Sequence, residues 1–328
     1  EFVKDAYEKG TRIFVVNRDV FLPEDSIKIF VDNSRRVLSK ISANFFNHPS
    51  RELKIIGITG TKGKTTISNY TKTVLDNSGY NAGVIGTNGV FYNDVKETTY
   101  NTTPESYEIQ RILRNMLDSG VQYVAMEVSS SGLMMDRVAD IDFDLAVFSN
   151  ISHDHIGPKE HPTFIHYLES KAKLFKLAKH GIVNIDDKHG KDIIDRAECS
   201  VDAFSINNDS DLQAVDIKLS DTIDYLGSDF ICKTKAGKFK CSICSPGIFS
   251  VYNALAVIAV SLHLGIDKKI ILDTLKNVKV NGRVEVLPIL DNASVILDYA
   301  HNGVSLENIL STLKDYNPNR LICLIGSI

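Results

Sequence analysis

Apolar residues along this chain keep two rhythms. Short runs rich in β-branched residues alternate with longer stretches in which apolar positions return every three or four residues, the marks of buried strands and of amphipathic helices. The junction that organises the rest is Leu53 to Ser78, LKIIGITGTKGKTTISNYTKTVLDNS. Ile55, Ile56 and Ile58, with Gly57 among them, predict a buried strand. From Thr66 on, Ile67, Tyr70, Val74 and Leu75 recur at helical spacing, and Gly79 follows as a stop. Gly60, Thr61, Lys62, Gly63, Lys64 and Thr65 turn the chain between the two.

The same two rhythms divide the chain into three units. Residues 1–49 read as part of a small α/β unit, with a strand at Arg12–Val16 and a helix at Phe30–Phe46 whose apolar face is Val31, Val37, Leu38 and Ile41. His48-Pro49-Ser50 reads as a linker. Residues 50–283 alternate strands (Ala82–Gly86, Val121–Met126, Phe143–Phe148, Gly181–Ile185) with helices (Pro104–Ser119, Thr163–Lys179). This is the pattern of an α/β fold with a mostly parallel sheet covered on both faces. Residues 211–246 change character: Phe230–Lys233 and Phe239–Ser245 predict antiparallel strands around Ala236-Gly237, and a helix Phe249–Leu264 ends at Gly265. Residues 284–328 offer strands Val284–Ile289 and Ser294–Asp298, a helix Ser305–Tyr316 and a strand Leu321–Ile325. That is too little to bury a core of its own. The first unit begins in mid-pattern and the last stops after a strand, so the expectation is a partial N-terminal α/β domain, a P-loop-containing central domain and a truncated Rossmann-like C-terminal domain.

Composition narrows the function classes. An apolar content of 43% suits a globular protein. A net charge of -4, with no basic block, gives no reason to expect nucleic acid. No apolar run approaches the roughly 18 residues of a membrane span, so no membrane insertion is expected, and the opening EFVKDAYEKG is no signal peptide. Five cysteines fit a reducing compartment. Cys241-x-x-Cys244 falls in an alternating stretch whose residues three apart face opposite sides, so zinc is not expected there.

A strand, a glycine turn and a helix form a phosphate cradle, because backbone N–H groups and the positive helix end face an anion. Lys64 can reach outer phosphates and the Thr65 hydroxyl can bind Mg²⁺. The match to G-x-x-x-x-G-K-[ST] is imperfect, with Ile58 in place of its first glycine. Ligands of open parallel sheets gather beyond the carboxyl ends of the strands. Glu127 comes directly after VQYVAM there, with Ser129 and Ser130 after it; Asn150 follows FDLAVFS; Asp154 and His155 come shortly after; Lys171 lies one helix further. Glu127 and His155 are reasonable Mg²⁺ ligands beside Thr65. Taken singly, each has an ordinary structural reading: a helix cap, a hydrogen-bonded surface histidine, a snorkelling lysine.

GITGTKGKTT, MEVSSSGL, FSNISHDHIG, YLESKAKLF, NGRVEVL and DYAHN, in this order, resemble the Mur ligases. NTTPES and the opening FVKDAYEKG resemble the type that adds the third residue of the peptidoglycan stem peptide. The resemblance covers nearly all of the chain. It implies a cytoplasmic, ATP- and Mg²⁺-dependent, ADP-forming ligase with three domains, serving cell-wall biogenesis and with it cell shape and division. Its partners would be a UDP-N-acetylmuramoyl dipeptide and a free amino acid; a monomer is expected, though no residue speaks to it. It implies a phosphate loop at Gly60, Thr61, Lys62, Gly63, Lys64, Thr65 and Thr66, and metal ligation by Thr65, Glu127, His155 and N-carboxylated Lys171. It further implies nucleotide contacts at Asn253, Arg283 and Asp298, and dipeptide contacts at Thr102, Thr103, Ser129 and Arg137. His301 shares the DYAHN motif.

Some positions depart from the family pattern. Ser131 stands where histidine is usual, Ser250 where asparagine often precedes Asn253, and His155 to Lys171 is a slightly long spacing. HIGPKEHPTF and AHNG resemble lysine-adding members more than diaminopimelate-adding ones. Two rivals share the loop: a related ligase such as a folylpolyglutamate synthase, which gives no reason for NTTPES, and a non-catalytic nucleotide-binding homologue.

Overall fold

The computed structural model describes residues 2–158, 160–222, 225–290, 293–300 and 303–326. The chain opens with α1 (Phe2–Glu8), a parallel strand pair β1 (Ile13–Val16) and β2 (Ile27–Phe30), and α2 (Ser34–Phe45). The helix expected from Phe30 begins only at Ser34, because the Asn33 side chain accepts the Arg36 N–H and fixes the N-cap there, leaving Phe30 in β2. Its packed face also differs from the expected one. Ser39, Ser42 and Ala43 are buried, whereas Leu38 and Ile41 are exposed. Small residues let α2 approach its neighbour closely, which an apolar stripe alone does not reveal.

The central strands follow in chain order: β3 (Lys54–Thr59), α3 (Lys64–Asn77), β4 (Ala82–Gly86), β5 (Gly89–Tyr92), β6 (Val95–Glu97), α4 (Ser106–Asp118), β7 (Tyr123–Glu127), α5 (Ser130–Met134) and β8 (Phe143–Phe148). Then come α6 (Phe164–Ala172), α7 (Leu174–Leu177), β9 (Ala178–Asn184), α8 (Gly190–Ile194) and β10 (Ser200–Ser205). Three long strands, β11 (Leu212–Thr222), β12 (Tyr225–Thr234) and β13 (Gly237–Ile243), precede α9 (Ile248–His263) and α10 (Lys268–Asn277). Together these strands form one 11-stranded sheet in the order β13-β12-β11-β10-β9-β8-β3-β7-β4-β5-β6. From β11 across to β4 every neighbour is parallel, and the antiparallel strands lie only at the two margins. The expected α/β fold with a mostly parallel sheet is what the chain adopts.

β3 lies in the middle and is buried from Ile55 to Thr59. Alternation sends Ile56 and Ile58 to the face covered by α3, α9 and α10, and Ile55 to the face covered by α4 and the α6–α7 segment. A strand with both faces covered reads as a continuous apolar run, which is why IIGI carried no polar partner. Gly57 sits where the Phe143 ring comes closest; a Cβ there would lie 2.8 Å from that ring and 3.0 Å from Leu174.

The stretch Thr163–Lys179 is not one helix. Thr163 caps α6, the helix is interrupted at Lys173, and the chain is already strand at Ala178. Cross-strand bonds to β8 and β10 prevail there over local helical preference. After α10, the hairpin β14 (Glu285–Leu290) and β15 (Ala293–Leu297) and helix α11 (Gly303–Lys314) complete the fold. Leu321–Ile325, expected as a strand, forms none and is exposed, since no neighbouring strand offers it a ladder. No helix among the described residues is long and apolar enough to cross a membrane.

Because backbone at Gly57 has no room for a side chain, Gly57→Ala is expected to cost about 1–3 kcal/mol of stability. The readout is a lower urea midpoint at unchanged slope. An unchanged midpoint would show that Phe143 and Leu174 yield freely.

Candidate active site

The carboxyl ends of β3, β4, β7, β8 and β9 open on one cleft of ≈ 630 Å³. Residues 60–66 follow β3 directly, and α3 starts at Lys64 with Gly63 in the left-handed region (φ 89) as its N-cap. A Cβ on Gly63 would stand 2.5 Å from Asn253 Oδ1, and one on Gly60 would stand 1.9 Å from Ser149 Oγ. Both glycines therefore admit a neighbour as well as a turn. Asn150, at the end of β8, pins the loop: its Oδ1 accepts the Lys62 N–H at 2.9 Å and its Nδ2 donates to the Lys62 carbonyl at 3.0 Å. Lys64 curls back, donating to the carbonyls of Gly60 (2.8 Å) and Thr61 (3.2 Å). Burial holds its pKa below the ordinary lysine value, opposed by Glu127 and reinforced by Lys62 and Arg283.

Glu127, the last residue of β7, is 1% exposed. Its Oε2 accepts the hydroxyls of Thr65 and Thr87, each at 3.1 Å, and its Oε1 accepts the Thr87 N–H at 3.0 Å. None of these donors is charged, and no ion pair to Glu127 occurs among the described residues. Gly86 makes the space, since a Cβ there would lie 2.1 Å from Glu127 Oε1. A buried carboxylate with only neutral donors, one of them the Thr65 hydroxyl, suits a hard divalent cation. His155 lines the same cleft; its Nδ1 lies 2.9 Å from Glu160 Oε1 and its side chain is 46% exposed.

Lys171 lies on α6, is 1% exposed and does not itself border the cleft. Its Nζ sits 4.6 Å from the centre of the Tyr167 ring, and the Tyr167 hydroxyl is 2.9 Å from Thr61 Oγ1. Burial, and next the charge of Lys64, drive the Lys171 pKa well below the ordinary lysine value, with Asp154 opposing. Both effects favour the uncharged amine, which is the form that carbon dioxide carboxylates.

The remaining expected residues separate into two groups. Thr61, Lys62, Gly63, Thr65, Thr66, Thr102, Asn253, Arg283 and Asp298 all border the cleft. Arg283 approaches Thr65 Oγ1 at 3.4 Å and rests on the Tyr299 ring, while Asp298 accepts the Val284 and Ala300 N–H groups. Thr103, Ser129 and Arg137 do not border it; they form a brace behind Glu127. Thr103 Oγ1 donates to the Glu127 carbonyl (3.0 Å) and accepts the Ser129 N–H (2.9 Å), Arg137 donates to the Thr103 carbonyl (3.0 Å), and Ser129 Oγ caps α5. His301 lies outside the described residues. Cleft residues not anticipated are Thr87, Asp186, Asp187 and Tyr252. Asp186 accepts the Tyr252 hydroxyl at 2.8 Å, and burial is more than offset by its hydrogen bonds, so its pKa is lowered. The rule that selected Glu127, a polar residue just past a parallel strand, also selects Asp186.

Strand, glycine loop and helix, with an acid at the tip of the adjacent strand, define a P-loop nucleotide-binding fold. The model of the Mur ligase middle domain matches residues 58–261, and that of the Mur ligase glutamate ligase domain matches residues 282–328. The chain belongs to the Mur ligase family. The UDP-N-acetylmuramoyl-L-alanyl-D-glutamate--2,6-diaminopimelate ligase of Clostridium perfringens is 40% identical over 332 residues, which cover 99% of this chain and 67% of the relative. The ligase of the same name from Clostridioides difficile is 37% identical over 331 residues, with 99% and 67% covered. A solved structure of a ligase of that name matches with a TM-score of 0.80 at 25% identity, over 95% of this chain and 64% of that one. The apo form of L. casei FPGS shares the fold, with a TM-score of 0.70 at 16% identity over 88% and 77% of the two chains. The chain thus spans about two-thirds of the length of these curated relatives, 67%, and 64% of the solved ligase.

A buried lysine with a depressed pKa binds fewer protons folded than unfolded, so its burden on stability is full below its folded pKa and fades as pH rises to the ordinary lysine range. In buffer free of carbon dioxide, Lys171→Met is therefore expected to unfold at higher urea than the parent at pH 7, with the gap closing as pH rises. Equal midpoints at all pH values would mean that the ammonium is solvated in the fold.

Proposed function

We infer that this chain carries the phosphoryl-transfer centre of an ATP-dependent, ADP-forming ligase that adds the third residue to UDP-N-acetylmuramoyl-L-alanyl-D-glutamate in peptidoglycan synthesis. The observation that carries the reading is the meeting of Lys64, Thr65 and the unpaired carboxylate of Glu127 at one edge of the cleft. The loop N–H groups of Gly63, Lys64, Thr65 and Thr66 would face the β- and γ-phosphates. Lys64, released from the Gly60 and Thr61 carbonyls, would set its charge against the γ-phosphate. Asn253 lies over Gly63 on the adenine side, and Arg283 and Asp298 approach from the far wall.

Thr65, Glu127, His155 and a carboxylated Lys171 would hold Mg²⁺. Bound there, the metal would offset the repulsion between a carboxylate and a triphosphate and stabilise the charge in transfer. The D-glutamyl carboxylate attacks the γ-phosphorus, the bond to the β-γ bridging oxygen breaks, and an acyl phosphate and ADP result. The amine of the incoming amino acid then displaces phosphate. No protein nucleophile is needed; the side chains act by position and charge. Thr102, which borders the cleft 3.0 Å from Thr87, would meet the dipeptide, while Thr103, Ser129 and Arg137 would hold the wall that dipeptide touches.

The names of the relatives favour diaminopimelate as the third residue over the lysine suggested by HIGPKEHPTF and AHNG. They also favour the muramoyl dipeptide over a folate substrate. Retention of Lys64, Thr65, Glu127, His155 and Lys171 speaks against a non-catalytic homologue. A cytoplasmic monomer is consistent with this chemistry, whose nucleotide substrates are cytoplasmic.

In the full-length enzyme, Lys64→Ala is expected to reduce dipeptide-dependent ADP formation by about 10²–10³-fold or more, with the fold retained by circular dichroism. Undiminished turnover would remove the loop from the mechanism.

A further inference from the structure

At the opposite end of the sheet, three side chains converge that the nucleotide chemistry does not use. His180 on β9 stands opposite Ser200 on β10, and Asp202 is two residues further along the same face. α9 packs across this face, since Ile182, Phe204 and the α9 residues share one core, and its last residue, His263, reaches the same spot. His180 Nε2 lies 3.0 Å from Asp202 Oδ2, and His263 Nδ1 lies 3.9 Å from that same oxygen. The two imidazole rings are stacked with centroids 4.2 Å apart and planes 29° apart. One nitrogen from each histidine and one carboxylate oxygen all fall within 4.8 Å of one another.

We propose that His180, Asp202 and His263 form a binding site for a borderline divalent transition cation of the zinc class, separate from the nucleotide cleft. Four points support it. Donor atoms around one tetrahedral zinc lie about 3.3 Å apart, given Zn–N bonds of roughly 2.0–2.1 Å; the 3.0 Å His180–Asp202 separation is already near that, and the stacked His263 ring, 3.9 Å from the same oxygen, would reorient to join them. Without a metal, His180 Nε2 donates to Asp202 Oδ2 at 3.0 Å; an arriving metal would take the place of that proton, with Nδ1, 2.8 Å from Ser200 Oγ, then donating to the hydroxyl and orienting the ring. His263 meets the same Asp202 oxygen from α9, so the three donors come from three separate elements. His263 also ends α9, where free carbonyls favour a cation.

The donor set decides which cation. Two imidazoles and a single carboxylate suit Zn²⁺, Co²⁺ or Ni²⁺ and not Mg²⁺, which the oxygen-rich cleft suits instead. Three protein ligands leave a coordination position open to water, as the half-exposed Asp202 requires. The nearby cation Lys235 is already engaged with Asp211 at 2.6 Å. His180 is four residues from Asn184 at the cleft end of β9, or roughly 13 Å along the strand, so the two metal sites are independent. An ion here would tie the end of α9 to β9 and β10, and α9 is the helix that carries Asn253 in its second turn.

The test uses the chelator-stripped full chain with Mg²⁺ in excess to occupy the cleft. Co²⁺ serves as the spectroscopic probe and Zn²⁺ as competitor. The expected result is one equivalent of Co²⁺ giving d–d absorption that Zn²⁺ bleaches, and a Zn²⁺-dependent rise in the thermal midpoint. His180→Ala and His263→Ala should each weaken Co²⁺ binding at least about tenfold and abolish the rise. His263 is partly exposed at a helix end, so its variant remains informative if His180→Ala fails to fold. Absence of Co²⁺ binding, or equal binding by the parent and His263→Ala, overturns the proposal.

Discussion

A carboxylate buried, among the described residues, without an ion-pair partner is the constraint on which the rest of this structure turns. Glu127 is fully enclosed, yet the groups that touch it are two threonine hydroxyls and one backbone N–H. At longer range the Lys64 charge answers it, and a cation arriving from outside would meet it directly. Gly86 gives up its side chain to admit it, Thr103 and Ser129 fix the backbone that carries it, and Thr65 turns its hydroxyl toward it. The two lysines nearby show the complementary condition. Lys64 rests on its own loop carbonyls, and Lys171 sits over an aromatic ring with its proton affinity reduced. An anion and a divalent ion entering together would satisfy all three at once.

The sheet makes this arrangement possible by placing strand ends from distant parts of the chain side by side. β3 is flanked by β7 and β8, so the phosphate loop, Glu127 and Asn150 emerge at one edge. Rigidity comes from burial of β3 on both faces, and local adjustment comes from glycines at close approaches. The cleft gains its second wall from Arg283, Asp298 and α11, which reach it from beyond the central sheet. Such a two-walled cleft suits a reaction that brings a nucleotide and a carboxylate together.

Much of this was legible in the sequence, and the reason is locality. Ile55 to Leu75 encodes strand, turn and helix through contacts a few residues apart, and glycine has few other reasons to recur at such a turn. Glu127, Asn150 and His155 were reachable because each lies just past an apolar run. What escaped depends on distant pairing. Tyr252 reaches Asp186 across 66 residues of chain, and nothing near either residue announces it. α2 packs through Ser39, Ser42 and Ala43, whose small size counts only once a neighbour is present. Thr103, Ser129 and Arg137 were found by motif, but their bracing of Glu127 is visible only in three dimensions. The His180 and His263 rings meet only because α9 returns across β9 and β10.

The most direct test follows an oxygen atom. The full-length enzyme is given ATP, the amino acid and UDP-muramoyl dipeptide whose D-glutamyl carboxylate carries ¹⁸O, and the released phosphate is analysed by mass. If the carboxylate attacks the γ-phosphorus in this cleft, each phosphate leaves with one oxygen from the substrate carboxylate. Unlabelled phosphate alongside normal product would contradict the account, because activation would then bypass the meeting of carboxylate and terminal phosphate beside Glu127.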